Sequence, residues 1–289
     1  MDSAVRLHVE SRGPVAGEPI LLIQGLGQQL IDWPEALVAA LAARCRVILC
    51  DNRDAGLSPL AGPALDPALK PSDFPTADAP PGTAPYTLHD MAADIRAVLD
   101  RLAIEQAHIL GYSMGGMIAQ IFAARYPART RSLVSLMSSD GAPWIAATPL
   151  ALAAMARSIT GGGDLAARID MLAEDAALYR GPHLAFDRAE ARSHIAAALD
   201  RADRPAGIYR QAQAMRGSGD RRALLERIGC PTLVVHGSDD PVIAPEQGRA
   251  AAARIPRARL EMLDRAGHDF APEVTATLCR VIPDFLARG

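Results

Sequence analysis

A chain of 289 residues is long enough to bury a sizeable core and still enclose a pocket, and its length leaves one or two domains open. Its 49% hydrophobic and 22% charged residues are those of an ordinary globular protein. A formal net charge of −3 excludes a basic nucleic-acid surface and an acidic tail. Lys70 is the single lysine among many arginines, which reads as codon usage and not as a binding surface. The start, from Met1 to Arg6, lacks the apolar core of an export signal. The apolar runs are alanine-rich and fall short of the roughly 20 residues that span a bilayer. Cytoplasmic residence, with no membrane partner, is the expectation. Cys45, Cys50, Cys230 and Cys279 fall at no metal-ligand spacing and read as buried free thiols of a reducing compartment.

Taken in order, short apolar runs alternate with longer helical patterns. Residues 19–24 read as a buried strand, 32–43 as a helix and 47–50 as the next strand. The Pro/Gly-rich stretch from Ser58 to Pro85 reads as a long surface loop. Thr87 opens a helix, with Asp90 placed to complete a capping box. Leu88, Met91, Ile95, Val98, Leu99 and Leu102 fall on one face of it. Strands follow at 107–111 and 132–137, separated by a helix at 116–125. From about Ala142 to Gly219 the pattern is helical with no convincing strand. Strands at 232–236 and 259–263 then resume, followed by helices at 246–255 and 273–287. The expected architecture is an α/β fold, a mostly parallel sheet flanked by helices. Residues 1–141 and 220–289 form its core, and a helical cap at 142–219 interrupts it. In open α/β sheets ligands bind at the carboxyl ends of the strands, and every motif below lies at such an end.

Gly111-Tyr112-Ser113-Met114-Gly115 fits G-x-S-x-G between an expected strand and an expected helix, the context that gives this motif meaning. The glycines have a physical reason. A sharp turn lifts the serine hydroxyl clear of the sheet, and side chains two residues to either side would collide. Gly116 further lets the helix pack closely. A serine hydroxyl is a weak nucleophile near neutral pH, so it needs a base and the base needs an orienting acid. Downstream histidines are His183, His194, His236 and His268. The first two lie in the helical segment, and His236 ends a strand and reads as structural. His268, in the loop after the last strand, is the candidate base. For the acid, Asp240 in Gly237-Ser238-Asp239-Asp240-Pro241 is favoured over Asp239 because Pro241 stiffens its turn. Asp140, after another strand, is a third candidate. Acyl transfer also needs two main-chain N–H groups aimed at the developing oxyanion. Met114, directly after the serine, and Leu26, in the glycine-flanked turn Gln24-Gly25-Leu26-Gly27, are the candidates.

Together these residues resemble the α/β-hydrolase family over nearly the whole chain outside the helical segment. Asp51-x-Arg53-x-x-Gly56-x-Ser58 is similar to the D-x-R-G-x-G-x-S signature of many members, with Asp54 in place of the first glycine. Gln24 stands where a histidine is usual. The Asp51-to-Asp54 segment and the Gly115-Gly116-Met117 run are most similar to the bacterial carboxylesterase branch that includes aclacinomycin methylesterase. The resemblance implies a catalytic triad of Ser113, Asp240 and His268, a cap over the site and no cofactor or metal. The expected function is a serine carboxylesterase that hydrolyses a small to medium-sized apolar carboxylic ester or lactone through an acyl-enzyme on Ser113. No nucleic acid is expected as a partner, and the sequence leaves a homo-oligomer open. Met114, Trp144, Met155, Tyr209 and Met215 are candidate pocket residues. A perhydrolase, a carbon–carbon bond hydrolase and a binding protein on a hydrolase scaffold are the alternatives.

Overall fold

The computed structural model describes residues 5–62, 70–75, 85–159 and 164–288. Among them, the strands β1 (Val9–Arg12), β2 (Glu18–Ile23), β3 (Cys45–Cys50), β4 (Ala107–Tyr112), β5 (Thr130–Leu136), β6 (Thr232–Gly237) and β7 (Ala258–Leu263) form one sheet. Their spatial order is β1-β3-β2-β4-β5-β6-β7. β1 pairs antiparallel to β3 at one edge and every other pair is parallel. The parallel strands are buried on both faces, which is why they read as continuous apolar runs. Alternate side chains serve opposite cores. Leu21, Ile23 and Ile48 pack toward α2 (Leu88–Arg101) and α3 (Met114–Arg125), while Ile20, Leu22, Val47 and Leu49 pack toward α1 (Glu35–Ala42) and α10 (Pro272–Leu286).

Local chemistry sets the helix ends. Thr87 and Asp90 form the expected capping box on α2, with Thr87 N–H donating to the Asp90 carboxylate at 2.7 Å. The helix expected at 32–43 is instead split. Leu30–Asp32 is a single 3₁₀ turn, Trp33 is extended, and α1 starts only at Glu35. Pro34 is the cause, because a proline disfavours helical geometry in the residue before it. β1 escaped the sequence reading because four residues, two of them charged, carry no apolar run. The Ser58-to-Pro85 loop lies partly outside the described residues; its described middle holds a 3₁₀ turn at Pro71–Asp73.

The segment between β5 and β6 is helical among the described residues, with α4 (Pro149–Ser158), α5 (Leu165–Arg180), α6 (Arg188–Arg201) and α7 (Pro205–Gly217) in turn. A short α8 (Arg222–Leu225) then leads back to β6, and α9 (Pro245–Arg254) joins β6 to β7. This helical insert is fastened to the sheet through the loop after β3. Asp54 has φ +70°, a left-handed conformation that glycine adopts freely, and that accounts for the glycine usual there. Its carboxylate accepts from Arg210 of α7 at 2.6 and 2.9 Å and from Tyr86 Oη at 2.6 Å. Buried Asp51 likewise accepts from Leu30 N–H at 2.7 Å and from Arg201 of α6 at 2.8 Å.

His194 of α6 meets Asp32 of the core at 2.6 Å, and that carboxylate raises the imidazole above its ordinary value of 6.5. A raised folded pKa means that the contact stabilises fully below pH 6.5 and that its contribution is lost as pH climbs through the folded value. His194 is half exposed, so the effect is a few tenths of a kcal/mol. The Tm gap between the native chain and His194→Gln is expected to be larger at pH 6 than at pH 8.5; an equal gap at both would contradict the assignment.

Candidate active site

Ser113 sits between β4 and α3 with φ 54° and ψ −119°, a strained conformation for a residue with a side chain. Neighbouring glycines let the turn close. A Cβ on Gly115 would overlap the Ile23 carbonyl oxygen of β2, and one on Gly111 would overlap the Gly115 carbonyl. A Cβ on Gly116 would fall 2.5 Å from that of Ser138. The elbow is thereby wedged against the end of β2. Ser113 N–H donates to Leu136 O at 2.9 Å, and Ser138 Oγ donates to Ser113 O at 2.8 Å.

His268 and Asp240 come to this serine from the loops after β7 and β6. His268 Nε2 lies 2.9 Å from Ser113 Oγ, and His268 Nδ1 lies 2.7 Å from Asp240 Oδ2. An ionised carboxylate only accepts, so the network puts the imidazole proton on Nδ1 and leaves Nε2 to accept from the hydroxyl. Asp240 Oδ1 accepts from Val242 and Ile243 N–H, each at 2.8 Å. Asp240 and His268 are both buried. The other sequence candidates lie elsewhere. Asp239 faces His183 at 3.5 Å, and Asp140 accepts from Ala142 N–H and the Gln247 side chain. His194 pairs with Asp32.

His236 is completely buried, donates from Nε2 to Ile243 O at 2.8 Å and lies 3.4 Å from Asp240 Oδ2. Burial lowers its pKa, so it stays neutral beside the carboxylate. It braces the turn that carries Asp240. Tyr112, the motif residue before the serine, packs on the His268 ring with centroids 5.1 Å apart and donates its hydroxyl to His268 O at 2.8 Å.

Both expected oxyanion donors lie next to the serine. Met114 is the first residue of α3. The Leu26 turn touches the elbow, since a Cβ on Gly25 would lie 3.3 Å from that of Ser113. Among the hydrogen bonds of the described residues, the N–H groups of Leu26 and Met114 have no acceptor, whereas those on either side of Leu26 do. Gly25 N–H donates to the Gln24 and Gln28 side chains, each at 3.2 Å, and Gly27 N–H donates to Gln211 Oε1 at 2.8 Å. Gln211 of α7 also donates to Arg53 O at 2.7 Å, so one buried amide ties this turn to the loop after β3. No sequence signal marks Gln211, which is 184 residues from its partner Gly27.

A cavity of about 970 Å³ opens over Ser113 and His268. Leu26, Trp33, Met155, Leu172, Ile208 and Val242 are among its apolar walls, and α5 and α6 supply much of the rest. Of the five pocket residues expected from sequence, Met155 alone is among those walls. Trp144 and Tyr209 pack on a small apolar cluster around Phe74 and Ile159, and Met114 and Met215 belong to the main core. Their apolar character fits either setting, and only the packing of the insert separates the two.

The sequence model of the alpha/beta hydrolase fold matches residues 18–273, and the chain belongs to that family. It is 28% identical to the rhodomycin D methylesterase DauP of Streptomyces sp. (strain C5), over 91% of this chain and 89% of that protein. It is 29% identical to a provisionally assigned carbamate hydrolase, RutD, of Variovorax paradoxus (strain S110), over 98% of this chain and 96% of that one. Among solved structures, the enol-lactonase from Burkholderia xenovorans LB400 superposes with a TM-score of 0.73 at 27% identity, covering 97% of this chain and 96% of the other. The chain is an enzyme of the hydrolase class. Among the described residues no helix is long and apolar enough to cross a membrane.

Proposed function

We propose that this protein is a serine carboxylesterase that hydrolyses a small to medium-sized apolar carboxylic ester or lactone through an acyl-enzyme on Ser113. The observation that carries the reading is the hydrogen-bonded series from Ser113 Oγ through His268 to Asp240, at the floor of a largely apolar cavity. Three relatives that cleave, by their names, a methyl ester, a carbamate and an enol lactone support it, because all three reactions begin at an acyl carbon.

In this mechanism His268 Nε2 takes the Ser113 proton as Oγ attacks the carbonyl carbon. Negative charge on the carbonyl oxygen is met by the N–H groups of Leu26 and Met114. Asp240, fixed by the Val242 and Ile243 amides, holds the imidazole in the productive tautomer and stabilises the imidazolium. The imidazolium then gives its proton to the leaving alcohol. Water, deprotonated by His268, attacks the acyl-enzyme; the bond from the acyl carbon to Oγ breaks, the imidazolium returns the proton to Ser113 Oγ, and the acid is freed. All the proton transfers run on these side chains. Residues 142–219 serve as a cap that supplies the specificity wall, and the substrate is a small molecule reached from solution, with no nucleic acid and no membrane.

The cavity lies at the upper end of the roughly 300–1,000 Å³ usual for small-molecule sites, so acetate fills little of it. Across p-nitrophenyl esters from acetate to dodecanoate, kcat/KM is expected to peak at an intermediate chain length. A chain that hydrolyses none of the series and does not react with a fluorophosphonate would contradict an esterase.

A further inference from the structure

The base of the proposed triad is held by the helical insert as well as by the sheet. His268 N–H donates to the carbonyl of Tyr179 at 2.7 Å, in the last turn of α5. That carbonyl is one of the acceptors a helix leaves unused at its C-terminus. The approach requires glycine at position 267, because a Cβ there would overlap the carbonyl oxygen of Tyr179 and sit within 2.5 Å of that of Arg180. The loop main chain therefore lies flush on the end of the helix.

Side chains lock this contact. Arg180, the final residue of α5, pairs through Nε with Asp269, the neighbour of His268. The same guanidinium donates to Ala185 O at 2.6 Å and stacks over the Phe186 ring at 5.3 Å. Both partners are largely buried, with side-chain exposures of 16% and 19%. Burial pushes the Asp269 carboxyl up, and the Arg180 hydrogen bond and charge, the Ala271 N–H and His268 oppose that rise. On the far side, His268 O accepts from Tyr112. The histidine is thus pinned by its N–H to the insert and by its C=O to the sheet. The insert also reaches the loop of the acid, where His183 meets Asp239.

We infer that Arg180 is a positioning residue for the reaction: through Asp269 and the Tyr179 carbonyl, the end of α5 sets His268 within reach of Ser113, so the insert completes the catalytic geometry in addition to walling the cavity. The inference rests on His268 being the general base. Arg180 and Asp269 are themselves among the cavity's lining residues, so the split between kcat and KM is what separates positioning of His268 from direct contact with substrate.

Catalytic groups displaced by about 1 Å lose roughly 100-fold in rate. In a p-nitrophenyl butyrate assay Arg180→Ala is expected to lower kcat by about 10- to 100-fold with KM within about threefold of the native value. Arg180→Lys keeps the charge but not the planar fork, and is expected to recover part of the loss. Asp269→Asn, which keeps the volume of the side chain, is measured beside it, and near-UV circular dichroism establishes that each variant is folded. The double variant is expected to be no slower than the worse single one, since both act through one pair. Folded Arg180→Ala and Asp269→Asn with kcat within twofold of native, or a loss carried wholly by KM, would overturn the inference. His268→Ala separates this outcome from failure of the base assignment: a dead His268→Ala beside a fast Arg180→Ala removes the clamp alone, and an active His268→Ala removes both.

Discussion

Ser113→Ala is expected to lower kcat/KM for a p-nitrophenyl ester by about 10³-fold or more, with Tm nearly unchanged. The geometry dictates both halves of that result. Ser113 Oγ makes one hydrogen bond among the described residues, to His268, so its removal leaves the fold's own contacts in place. The strained φ of 54° is held by the glycine packing against β2 and by the main-chain bonds of Ser113, none of which uses the hydroxyl. What disappears is the hydroxyl oxygen that faces His268 Nε2, the one that attacks the acyl carbon in the proposed mechanism. Residual rate would come from the N–H groups of Leu26 and Met114 and from binding, with a water in place of the serine. Parallel measurement of ester hydrolysis and thermal unfolding on both proteins checks the two halves, and turnover within tenfold of native would remove Ser113 from the mechanism.

Asp240→Asn is expected to be almost as damaging, by about 10³- to 10⁴-fold in kcat, for a reason that concerns a single proton. The Val242 and Ile243 amides demand an acceptor, so the asparagine must present its oxygen to them. Its NH₂ then faces His268 Nδ1 at the position the carboxylate oxygen held at 2.7 Å. Two donors cannot meet. The imidazole must accept at Nδ1 and carry its proton on Nε2, where it faces the serine hydroxyl and cannot take its proton. The packing volume is unchanged, so the fold survives while the base is disarmed. Steady-state kinetics with circular dichroism on the same samples tests this, and an Asp240→Asn protein at a tenth of native kcat or better would show that the tautomer is set by another group.

Much of this was legible in the sequence because the information is local or ordered along the chain. The elbow is five consecutive residues whose glycines are forced by contacts of the turn with itself and with β2. Asp240 and His268 follow it in the order the family uses, each after a short apolar strand. The capping box at Thr87 and Asp90 is likewise read from residues three apart. What escaped depends on pairs far apart in sequence. Gln211 reaches Gly27, Arg210 reaches Asp54 and Arg180 reaches Asp269, and no periodicity marks any of them. The misread helix at 32–43 is a different case. Its signal is present in the sequence, since Pro34 dictates the break two residues after the expected start. The apolar residues of the insert were indistinguishable from one another by type, so Met155 in the cavity wall could not be told from Trp144 in the cluster behind it.

Hydrolysis through an acyl-enzyme requires that one serine, Ser113, become covalently acylated. Its most direct test is treatment of the native chain with a fluorophosphonate, followed by intact-mass measurement and peptide mapping. One adduct per chain is expected, located on Ser113 and absent from Ser113→Ala. An unmodified chain, an adduct on another residue, or undiminished labelling of the alanine variant would contradict it.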